Sequence, residues 1–221
     1  MKSDHIFFNI CINIKRKEGE LKMKTFFITI VALISLFLSP LKSFSQLTDT
    51  EINGIVTLRE EEKVAYDVYM YLYEKYDNIV FKNIALNEKD HMMKIKELIN
   101  TYNINDPVSG TEDQRGVFEN KKMKALYDEM IMAGNYGVVD AMRAAARFEE
   151  TDIQDLLNYI AATSDQTVLA VYQILESGSE DHLRALVKYI KEEGISYKPS
   201  VLSKEEYDKI MSVKATKDYT K

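Results

Sequence analysis

Apolar residues between positions 51 and 193 recur every three or four residues, the rhythm of helices that bury one stripe and expose the rest. In "LREEEKVAYDVYMYLYEKY", Leu58, Ala65, Tyr69 and Leu72 share a face. The same spacing groups Ile84, Ile95 and Leu98, then Val139, Met142, Ala146, Ile153 and Leu156, then Tyr172, Leu175, Leu186 and Tyr189. The pattern predicts helices over roughly 51–77, 80–102, 120–133, 136–162 and 165–193. A short sixth, "SKEEYDKIM", precedes a solvated, Lys-rich end. Punctuation agrees: "NINDPVSGTEDQRG" (103–116) is the one long loop, "GNYG" (134–137) breaks a helix, and "SDQT" (164–167) offers a cap. Four long helices and one short one joined by brief links predict an all-α antiparallel four-helix bundle. The narrow stripe of Met123, Leu126, Met130 and Ile131 leaves the short helix packed outside the core.

Each long stripe is interrupted near its middle by polar residues. Glu62 lies between Leu58 and Ala65, and Glu88 and His91 lie between Ile84 and Ile95. Glu149 follows Ala146, with Asp152 about 60° further round the helix, and Ser179 and His182 lie between Leu175 and Leu186. Glu60 is directed away from the stripe. A single inward Glu or His is usually solvated or bonded within a core, but coincidence on four helices is costly unless the charges are matched. Two divalent cations would neutralise Glu62, Glu88, Glu149 and Asp152. With His91 and His182 these make six candidate ligands, of which Glu62, Glu88, His91, Glu149 and His182 are predicted to converge in one metal-sized pocket.

From Met23 the chain reads "MKTFFITIVALISLFLSPLKSFSQ": a basic start, an apolar run too short to span a membrane comfortably, and small residues before Gln46. This predicts a signal peptide over 23–45, with Met23 the true start and 1–22 an upstream extension. A helical domain would follow over 47–194 and a tail over 195–221. The expected product is exported to the periplasm or outside the cell, with no transmembrane anchor. The whole chain carries 29 Lys and Arg against 35 Asp and Glu, and setting aside residues 1–45 takes the net charge to about −10. So acidic a surface excludes nucleic acid as a partner. It also leaves no cysteine and only His91 and His182, so thiol chemistry is excluded.

The interrupting residues resemble a known pattern. Ferritin-like carboxylate bundles take a Glu from each of two helices and Glu-x-x-His from each of the other two. Glu62 with Tyr69 in "EKVAYDVY" resembles the first helix of rubrerythrin-type proteins, and "EKDH" (88–91) the second. More closely, "REEEKVAYDVY", "NIALNEKDHM", "FEETDIQDL" and "GSEDHLRAL" together resemble domain of unknown function family 2202, over roughly 50–193. The resemblance implies a di-iron site, with manganese or zinc as alternatives, and oxygen- or peroxide-linked redox chemistry or metal handling. One position departs: "SEDH" (179–182) has Ser179 where the pattern has Glu, and Asp152 is the candidate replacement. The rival expectation is a non-enzymatic helical binding module with a degenerate or absent metal site.

Overall fold

The computed structural model describes residues 46–221, and the expected upstream extension and signal peptide lie outside them. Among the described residues there are six helices and no strand. These are α1 (Asp49–Tyr76), α2 (Ile79–Tyr102), α3 (Lys121–Ala133), α4 (Val138–Ala162), α5 (Gln166–Glu192) and α6 (Lys204–Ser212). Local chemistry sets their ends. Thr48 and Glu51 cap α1 reciprocally, Asn78 and Asn120 cap α2 and α3, and Asp165 caps α5 through the amides of Thr167 and Val168. Asp77 and Asn103 take left-handed backbone to end α1 and α2.

The four long helices close on one another: α1 lies along α2 and α4 along α5, while α2 meets α5 and α1 meets α4. The shorter α3 contributes only Met123 and Met130 to the buried interior, as its narrow stripe predicts. The apolar core divides in two. One cluster holds Val64–Leu72 of α1, Ile84 and Ala85, Ala141–Ile153 of α4 and Leu183–Ile190. The other holds Ile55 and Leu58, Ile95–Ile99, Leu156, Val168 and Leu175. Between them every long helix presents its polar interruption.

Glu60, directed away from the core stripe, is nonetheless buried, and accepts from the Asn120 amide at the start of α3. One expectation needs correction. The C-terminal end is docked, with Tyr207, Ile210 and Tyr219 buried. Buried acids that lie off the core stripes explain it. Glu150 accepts from the amides of Ser200, Val201 and Leu202 at 2.9, 2.7 and 3.0 Å. Asp181 accepts from Thr216 and Lys217 at 2.9 and 3.1 Å. The long α2–α3 connection is held likewise: Arg59, buried in α1, donates to Asp106 at 3.1 Å and to the Met92 carbonyl at 3.1 Å. No helix of the described residues is long and apolar enough to cross a membrane.

Candidate metal centre

Four helices deliver the polar layer: Glu62 from α1, Glu88 and His91 from α2, Glu149 from α4 and His182 from α5, none more than 2% exposed. The i, i+3 spacing of Glu88 and His91 turns both toward the axis. The two oxygens of Glu88 then face different rings. Oε2 lies 2.9 Å from His91 Nδ1, and Oε1 lies 3.0 Å from His182 Nδ1. Each ring nitrogen has a second carboxylate nearby: Glu62 Oε2 is 3.4 Å from His91 Nδ1, and Glu149 Oε2 is 3.4 Å from His182 Nδ1. Two sets result, Glu62–Glu88–His91 and Glu88–Glu149–His182, each with one donor atom per residue within 4.8 Å of the others. Glu88 belongs to both.

Proximity is not matched by hydrogen bonding. His91 Nδ1, His182 Nδ1, Glu62 Oε1 and Glu149 Oε2 are buried without a hydrogen-bond partner. An unmade bond on a buried polar atom costs about 1–3 kcal/mol, so four at one point call for a ligand that all can share. Carboxylate and imidazole donors suit a divalent transition metal.

Protonation tells the same story. Burial, opposed by His91 and reinforced by Glu88, pushes Glu62 up to about 8. Burial also raises Glu149 and Asp152. Burial would raise Glu88 too, but the imidazoles of His182 and His91 hold it well below the usual carboxylate range. Burial opposes charge on His182, yet Glu88 and Glu149 prevail and lift it to about 9; Glu62 and Glu88 likewise raise His91. Burial and the neighbouring charges thus favour protonated forms at the positions where cations would balance the same charge.

Asp152 falls outside both sets. It accepts from Ser179 Oγ at 2.6 Å, so the serine of the departing motif tethers the neighbouring carboxylate. A cavity of about 270 Å³ reaches Asp152 from outside, bordered also by Glu61, Asp155 and Arg147.

Tyr69, which spacing places beside Glu62, donates its hydroxyl to Glu149 Oε1. Three further contributors escape sequence reasoning. Glu61, with a buried unpartnered Oε2, is pushed up to about 8 by burial and by Asp152. Asn87 hydrogen-bonds His182 Nε2 at 3.0 Å. Its position beside the Ile84, Glu88, His91 stripe is a usable signal. Gly178 passes His91 so closely that a Cβ there would stand 2.5 Å from Nε2, and a glycine inside a helical pattern hints at such an approach.

Fold and cluster together define a helical-bundle protein with buried carboxylate and imidazole groups that could bind a metal ion. The chain belongs to the family described as uncharacterized protein domain DUF2202, whose model matches residues 51–214. It is 42% identical over 166 residues to uncharacterized protein MJ0754 of Methanocaldococcus jannaschii, covering 75% of this chain and 89% of that protein. The crystal structure of hypothetical protein MJ0754 superposes with a TM-score of 0.75 at 40% identity, over 77% of this chain and 97% of that one.

Proposed function

We propose that this is an exported ferritin-like protein whose Glu62, Glu88, His91, Glu149 and His182 hold two divalent cations, iron or manganese, with Glu88 shared between them. The observation that carries the proposal is the opposed pair of imidazoles: two Nδ1 atoms face the two oxygens of one carboxylate, amid buried atoms that complete no hydrogen bond. The ferritin-like reading draws support from the closed set of four long helices. One long connection, Asn103 to Gly137, links the second long helix to the third, a feature of such folds.

Within the centre the chain's own groups have separable roles. Glu88 would bridge, and Glu62 with His91 and Glu149 with His182 would each complete one position. Tyr69 fixes Glu149 by donating to the oxygen opposite the one facing His182. Asp152, a sixth candidate ligand, is held ready beside the cluster by Ser179. A bound iron or manganese pair would supply one-electron redox chemistry toward oxygen or peroxide. The flanking apolar clusters would exclude bulk water from it.

Metal analysis of protein purified without chelator tests this. Two equivalents of iron or manganese per chain are expected, both lost in Glu88→Ala; protein that neither carries nor takes up metal would refute the proposal. A second reading, a non-enzymatic binding module with a degenerate site, is favoured by Ser179, which donates to Asp152 where the pattern would have a Glu ligand. It predicts no more than one weakly held equivalent.

A further inference from the structure

The two imidazoles are held differently on their outer sides. His182 Nε2 meets Asn87 Oδ1 at 3.0 Å, and the Tyr219 hydroxyl donates to the same oxygen. The Tyr219 ring stands edge-on to His182, with centroids 4.8 Å apart at 83°. Tyr219 arrives on the last segment of the chain, which is fixed by its own carbonyl accepting from Asn83 Nδ2 at 3.0 Å. The amides of Thr216 and Lys217 on Asp181, the neighbour of His182, complete the anchor. His91 has a different surround: its outer edge abuts Gly178 and lines a groove of about 750 Å³ among α2, α5 and residues 216–219.

An amide oxygen can only accept, so the Asn87 contact requires hydrogen on Nε2 of His182 and leaves the Nδ1 lone pair for the cluster. We propose that Asn87 and Tyr219 are positioning residues for His182, and that the docked C-terminal segment thereby makes the Glu88–Glu149–His182 position the tighter of two cation positions. The inference rests on the metal reading above and goes beyond it, assigning the last residues of the chain a part in the centre. Outer partners that fix the orientation of a ligating histidine typically account for 10–100-fold in metal affinity.

The test is a cobalt(II) titration of the metal-free full-length protein, with affinities from chelator competition. Nitrogen-15 imidazole spectra of the zinc-loaded protein accompany it. Wild type is expected to bind two equivalents of unequal affinity, with hydrogen on His182 Nε2 and metal on Nδ1. Tyr219→Phe keeps the ring against His182 and removes only the hydroxyl. It should weaken the tighter equivalent about tenfold and leave the other unchanged. Asn87→Leu should weaken the same equivalent at least as far, and Asn87→Asp, which keeps an accepting oxygen, should restore it. Variants that bind both equivalents like wild type, or an Asn87→Asp protein as impaired as the leucine variant, would overturn the inference and leave the metal reading standing. Wild-type protein that binds no cobalt would overturn both.

Discussion

Gly178 lies inside α5, where alanine would ordinarily strengthen a helix by about 1 kcal/mol. Here the added Cβ would meet the His91 ring, which Glu62 and Glu88 hold from the other side. Gly178→Ala is therefore expected to displace His91 and weaken one metal equivalent by tenfold or more, although the helix gains propensity. Calorimetric titration of the variant checks this, and unaltered binding would show that His91 is no ligand. Asp152→Asn probes the residue that Ser179 tethers. Its shape is kept and its charge removed, so the fold should persist and the second equivalent should bind far more weakly. Restoring the motif with Ser179→Glu in that background should recover the equivalent. Unchanged binding in Asp152→Asn would leave Asp152 outside the site.

Helix ends and stripes are the most legible parts of this chain, because caps and apolar spacing act locally. Asp165 in "SDQT" marks a helix start, and Leu58 to Leu72 or Ile84 to Leu98 declare a buried face without reference to any partner. The polar interruptions are legible for the same reason. What cannot be read is contact made across distance: Glu60 on Asn120, Glu150 on residues 200–202, and Tyr219 on Asn87 join positions 50 to 132 apart. These buried acids sit off the core stripes, so periodicity assigns them to solvent. Their effect on the elements is measurable. Glu150→Ala leaves three amides of the α5–α6 connection without their acceptor, for an expected loss of about 2 kcal/mol. In a domain of this size that lowers the melting temperature by about 4–8 °C. A drop too small to resolve would show that the connection is not held through Glu150.

At the scale of the whole molecule the polar layer ties stability to pH and to metal. Glu62 and Glu61 are pushed up to about 8, and His182 to about 9, from ordinary values of 4.5 and 6.5. All three folded-state values exceed the unfolded ones, so the fold favours the protonated forms. Their stabilisation is fully present below the unfolded values and is lost as pH rises through about 8 to 9. The melting temperature of chelator-treated protein should fall between about pH 6 and about pH 9. Bound cations take the place of the protons on Glu62 and His182 but not of that on Glu61, so the loaded protein should lose less of its melting temperature across the window, and loading should release protons. A metal-free protein that grows more stable over that range would contradict the charge assignment.

Whether Glu88 lies between two cations is decided by anomalous diffraction from crystals of the full chain loaded with manganese(II). Two peaks are expected, one on each side of the Glu88 carboxylate, one about 2 Å from His91 Nδ1 and the other about 2 Å from His182 Nδ1. No peak in the polar layer, or manganese bound only at surface carboxylates, would contradict that arrangement.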